Sequence, residues 1–164
     1  MTAMWIDESD TTQLAQRLRV GPRELLEHIG GPWHVVERSS EQEMGQPGTL
    51  FVGRAGPSVA ILVSDEPSPV VRVGVAVGDW QGSWPLLWSL TEPIGSFRTP
   101  ERGTPSAATD ELLIHLREAV DTAAAVKAPS LVVCRYCGTL VASEHALGEE
   151  LCQRCGTSVF GISY

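Results

Sequence analysis

All four cysteines of the chain fall between residues 134 and 155, as two pairs with fourteen residues between them. The first pair reads Cys134-Arg135-Tyr136-Cys137-Gly138-Thr139 and the second Cys152-Gln153-Arg154-Cys155-Gly156-Thr157. The halves repeat each other, with Val133 or Leu151 before the first cysteine and Val141 or Val159 beyond the Gly-Thr step. Two residues between cysteines let both sulfurs turn toward one ion. A glycine directly after the second cysteine allows a backbone conformation that other residues resist, so amides can face the sulfurs. Four sulfurs brought together in this way form a tetrahedron, which suits zinc.

The pattern resembles the zinc-ribbon family, with its two rubredoxin-like knuckles, over residues 131–164 and nowhere earlier. The resemblance implies one structural zinc ion held by Cys134, Cys137, Cys152 and Cys155. It also implies antiparallel strands linking the knuckles, at 139–142 and 158–163. Iron in a rubredoxin-like site is an alternative, but rubredoxins carry a proline where this chain has Gln153. Disulfide pairing and a catalytic thiol are the remaining readings. His145, between the pairs, reads as a solvated hairpin residue because four cysteines already complete a shell. Such a shell has no open position, so the metal holds a short segment together and does no catalysis.

The remaining residues set the scale. A chain of 164 residues with 43% hydrophobic and 20% charged composition suits one domain plus a small appendage. We read an α+β domain over 1–130 and a zinc ribbon over 131–164. The net charge of −8 argues against a protein built to grip a phosphate backbone. No apolar stretch approaches the ~20 residues needed to cross a bilayer, so no membrane role is expected. Residues 1–8 lack the basic and apolar regions of a secretory signal. Clustered cysteines without a disulfide framework, together with this, lead us to expect a cytoplasmic setting.

Along the chain, Leu14, Ala15 and Leu18, then Leu25, Leu26 and Ile29, recur at helical spacing, with Gly21-Pro22 between them and Gly30-Gly31-Pro32 after. This predicts a helical pair over 10–30. The period then changes. Stretches 34–38, 49–54, 58–64 and 70–77 read as strands with short connections, hence an antiparallel meander. In the last of these Val71, Val73, Val75 and Val77 share one face. That face should pack on helices and the other should be partly solvated. Residues 79–90 admit either a strand or a short helix starting at Pro85. Residues 92–109, rich in Pro and Gly, read as a long loop. Residues 109–128 carry the strongest helical stripe, and Pro129 stops it. The fold class is therefore α+β: a sheet of four or five antiparallel strands over 34–90, a helical pair, one long helix and a C-terminal ribbon.

Weaker signals each have a plain structural reading beside the functional one. The helical pair loosely resembles a DNA-binding helix-turn-helix, with Arg17, Arg19 and Arg23 as candidate phosphate contacts. Against this, Arg19 stands at the turn position usually held by glycine, and Glu24 and Glu27 oppose the arginines. Trp33, Trp80, Trp84 and Trp88 suit a core, with Trp84 and Trp88 the candidates for a partner-binding surface. His28, His34 and His115 are scattered; His115, beside Leu112, Leu113 and Leu116, reads as a core or boundary residue. Asp65 and Glu66 read as solvated turn charge. No catalytic motif stands out. The leading expectation is a non-enzymatic zinc protein that binds another protein, one with a basic surface given the acidic balance. The alternative is a DNA-binding regulator using the helical pair or the ribbon. An enzyme with a site between sheet and loop is a third reading.

Overall fold

Helix α1 (Glu8–Leu18) buries Leu14, Ala15 and Leu18, and α2 (Pro22–Ile29) buries Leu25 and Ile29, each set spaced to share one helix face. The computed structural model describes residues 8–39, 47–53, 58–80, 86–143, 146–147 and 150–161. Between the helices Arg19 takes φ 58°, a left-handed value that favours glycine. Its guanidinium compensates by donating to the carbonyls of Pro67 (2.7 Å) and Pro100 (2.9 Å).

Five antiparallel strands follow in sequential order: β1 (Trp33–Val36), β2 (Gly48–Gly53), β3 (Val59–Ser64), β4 (Val70–Trp80) and β5 (Leu86–Arg98). The register sets Phe51 opposite Ile61 and Ile61 opposite Val73, while Leu50 lies opposite Leu62 and Leu62 opposite Arg72. Side chains alternate between faces along a strand. One face therefore gathers Phe51, Val59, Ile61, Val63, Val71, Val73 and Val75 against α1, α2 and the long helix α3 (Ser106–Lys127). From α3 come Leu112, Leu113, Leu116, Ala119, Val120 and Ala123, the predicted stripe.

The other face is not the half-wet surface expected. It buries Leu50, Val52, Ala60, Leu62, Ala76 and Trp88 as a second core. The chain just beyond β1 explains this. Trp88 donates its N–H to the Glu37 carbonyl (2.8 Å) and accepts from the Ser39 N–H (2.9 Å), making a parallel bridge at Arg38. β1 and β5 are opposite edges of the meander, so these bonds curl the sheet round on itself.

Of the two readings open for 79–90, the described residues on both sides of 81–85 take the strand. The loop expected over 92–109 is corrected: β5 continues to Arg98, with Gly95 paired to Val73 and Phe97 to Val71, and α3 begins at Ser106. Pairing with β4 outweighs the local weakness of Pro93 and Gly95. His115 is exposed, its ring stacked on Phe97 at 5.9 Å, and is not a core residue.

The junction between helices and sheet is held by Trp33. Its backbone N–H donates to Thr11 Oγ1 (3.1 Å) and its indole N–H to the Gly30 carbonyl (2.8 Å). The ring lies over Gly53, where a Cβ would fall 2.5 Å from the Pro32 carbonyl oxygen and 2.8 Å from the ring. Gly53→Ala should therefore lower stability by about 1–3 kcal/mol through overpacking. Urea unfolding followed by tryptophan fluorescence measures it; an unchanged midpoint would show that β1 shifts freely.

Candidate metal centre

The tail builds its site from two short hairpins and a helix. After a single 3-10 turn (Ala128–Ser130), β6 (Leu131–Val133) pairs with β7 (Leu140–Ala142), and β8 (Ala146–Leu147) pairs with β9 (Leu151–Cys152). Helix α4 (Gln153–Phe160) follows directly. Cys134 and Cys137 sit in the turn between β6 and β7. Cys152 ends β9 and Cys155 lies in the first turn of α4.

The two halves repeat in sequence but not in structure. In the first, the Cys134 carbonyl accepts from the Gly138 N–H (2.8 Å), and the Cys134 N–H donates to the Thr139 carbonyl (2.9 Å). Gly138 takes φ 71°, the left-handed conformation expected of it. In the second, Gly156 lies inside α4, so the same role does not hold there. The Cys152 sulfur instead accepts from the Cys155 N–H (3.4 Å), the bond an N-cap side chain makes to the third helical residue. The strand expected over 158–163 is thus helix as far as Phe160. Ser158 contributes by donating its hydroxyl to the Arg154 carbonyl (2.7 Å). Residues 162–164, Trp84 and His145 lie outside the described residues.

The four sulfurs all lie within 4.8 Å of one another, and those of Cys137 and Cys152 are 3.8 Å apart. A tetrahedral ion with metal–sulfur bonds of about 2.3 Å sets its sulfurs about 3.8 Å apart. The donor set therefore fits, and these four residues could hold a metal ion. None is in a disulfide. Cys134, Cys152 and Cys155 are buried with Val141 and Leu151 beside them, whereas Cys137 is exposed. A strap ties the two hairpins: the Arg135 N–H donates to the Glu150 carbonyl (2.7 Å) and the Arg135 guanidinium pairs with the Glu150 carboxylate (2.9 Å).

The sulfurs differ electrostatically. The Cys134 thiol is drawn down to about 6, first by backbone hydrogen bonding at Cys152 and then at Cys137. Cys137 is lowered by the Thr139 hydroxyl and then by the Thr139 backbone. Cys155 is pushed up to about 12 by its bond to the Cys152 sulfur and by burial. Hydrogen bonds that favour the thiolate lower Cys134 and Cys137, whereas the Cys152 sulfur and burial disfavour it at Cys155. A cation among them lets all four ionise.

The other candidate residues are placed elsewhere. Trp88 is only 9% exposed and belongs to the second core, so it offers no surface to a partner. Arg17 reaches across to the sheet, donating to Thr49 Oγ1 and the Ser64 carbonyl and pairing with Asp65 at 3.4 Å. Arg23 pairs with Glu27 at 3.1 Å, and Arg19 is committed to two carbonyls. Arg17 and Arg19 thus bind the helical pair to distant backbone, while Arg23 stays exposed beside Glu27 on its own helix. Asp65 and Glu66 are exposed beside a hollow that Leu62 and Arg72 also line, as solvated turn charges.

What the sequence reading did not single out is an apolar patch on the first hairpin. Val133 pairs with Leu140, and Tyr136 lies in the turn between their strands. Val133 is 57% and Tyr136 59% exposed, and Leu140 is exposed as well. The Val-Cys-x-x-Cys-Gly-Thr-Leu run was the available signal: it sets apolar residues on both strands that flank the turn. Among the described residues no helix is long and apolar enough to cross a membrane. Comparison with protein-family models, curated proteins and solved structures returns no match.

The asymmetry of the knuckles yields a test. Gly138→Ala meets open space but a strained backbone, so metal affinity should fall by about fivefold to tenfold. Gly138→Asn should lose less, since Asn tolerates that conformation. Competition with a chromophoric chelator measures both; equal affinity for all three proteins would show that the left-handed turn does not support the site.

Proposed function

We propose that this is a non-catalytic zinc protein in which a four-cysteine ribbon serves as a protein-binding module on an α+β body. The observation that carries the reading is the convergence of four sulfurs at tetrahedral spacing, two of them from the hairpin that exposes Val133, Tyr136 and Leu140. Zinc is favoured over iron by its fit to a closed structural sulfur shell. Residues 131–164 form too small a unit to bury a stable core unaided, and zinc binding contributes on the order of 10 kcal/mol to modules of this kind. Exposed Val133, Tyr136 and Leu140 suit burial against a partner, with tyrosine a favoured contact residue. The net charge of −8 steers a partner with a basic surface, in a cytoplasmic setting. DNA contact through the helical pair is disfavoured because Arg17 and Arg19 are engaged within the fold and Arg23 is countered by Glu27.

Purified protein should carry one zinc per chain by mass spectrometry of metals. Cys134→Ser or Cys152→Ser should abolish it and leave 131–164 open to protease. Stoichiometric iron, or a full zinc complement in either variant, would overturn the assignment. For the binding face, Val133→Ser combined with Leu140→Ser should keep zinc and lose a nuclease-resistant protein partner captured from lysate of the source cells. A partner held equally well by the double variant would exclude this face. Capture that depends on nucleic acid would favour the regulator.

A further inference from the structure

We propose that Cys137 is the reactive sulfur of the four, the point at which a peroxide-class oxidant enters and opens the site by a Cys137–Cys152 disulfide. This rests on the zinc reading above. Once a divalent ion is held, all four sulfurs are thiolates, so access ranks them. Cys134 is 1%, Cys152 5% and Cys155 8% exposed, while Cys137 lies open to solvent in the β6–β7 turn. The Cys152 sulfur is 3.8 Å away, near enough to resolve an oxidised Cys137 with little backbone movement.

The chemistry balances without a further redox reagent. The Cys137 thiolate attacks one peroxide oxygen. The S–O bond forms, the O–O bond breaks and hydroxide leaves; sulfur is oxidised by two electrons and peroxide reduced by two. The Cys152 thiolate then attacks that sulfur, the S–S bond forms and the oxygen leaves as a second hydroxide. Two of four sulfurs are thereby withdrawn, one from each hairpin, and zinc is released. A dithiol reductant reverses the disulfide and restores the ligands. Thr139 moderates the first step, because its hydroxyl lies 3.2 Å from the Cys137 sulfur and can donate to the thiolate.

The test uses the full-length protein, with zinc content measured first; a chain without zinc fails the earlier reading and not this one. Zinc-loaded protein is treated with limiting hydrogen peroxide while a chromophoric chelator reports release. Disulfides are then mapped by peptide mass spectrometry. One Cys137–Cys152 disulfide should form per zinc released. Thr139→Val should speed release about threefold by removing the donor. Cys137→His, which keeps a ligand atom, should slow it about tenfold or more. If that variant does not hold zinc, the map of the unaltered protein decides alone. A first disulfide lacking Cys137, or release with Cys137 still reduced, would overturn the proposal.

Discussion

A sheet that is apolar on both faces must hide both from water, and most of this structure follows from that requirement. The meander sets Phe51, Ile61 and Val73 on one side and Leu50, Leu62 and Ala76 on the other. Three helices cover the first face. No helix covers the second within the described residues, so the sheet covers itself by curling until the chain beyond β1 reaches Trp88. The backbone of Trp88 makes the closing bonds while its side chain is buried in that second core. Two arginines of the helical pair, half-buried Arg17 and exposed Arg19, fold back onto the protein's own backbone. Arg17 and Arg19 satisfy carbonyls at the ends of strands and turns, where hydrogen bonds are needed more than surface charge.

The tail solves a smaller version of the same problem. Among the described residues its apolar core is Val141 and Leu151 beside three buried cysteines. The sulfurs serve as core and could also serve as ligands. Backbone hydrogen bonds lower Cys134 to about 6, while the bond to the Cys152 sulfur and burial raise Cys155 to about 12. Exposed Val133, Tyr136 and Leu140 then lie on a hairpin that would be unstable as an isolated two-stranded unit. Metal and binding face are thus physically linked in the proposed reading: the ion would hold in place the surface that the partner recognises.

The parts legible in advance were those where local pattern and tertiary outcome agree. Leu112, Leu113, Leu116 and Val120 announce α3 by their spacing, and Val71, Val73 and Val75 announce the inner face of β4 by theirs. The cysteine spacing alone brought the four ligands together on paper. Where reading failed, pairing overrode propensity. Pro93 and Gly95 read as loop yet continue β5, because β4 supplies partners to their neighbours. Residues 153–160 contain Gly156, Thr157 and Val159, poor helix formers, yet form α4 with the Cys152 sulfur at its N-terminus.

Sequence alone determined the class of fold, the long helix, the antiparallel order of the strands and the four sulfurs that could hold a metal ion. Each is encoded by residue type at short, regular spacing, which the chain carries whatever its final packing. Tertiary structure decided the closure of the sheet, the burial of Trp88, the bonding of Arg17 and Arg19 to distant carbonyls, and the different shapes of two nearly identical cysteine pairs. These depend on which distant groups meet: Glu37 with Trp88, Arg17 with Ser64, Arg135 with Glu150. Such encounters have no local signature, because their stabilisation comes from burial and hydrogen bonding that exist only once the chain has folded.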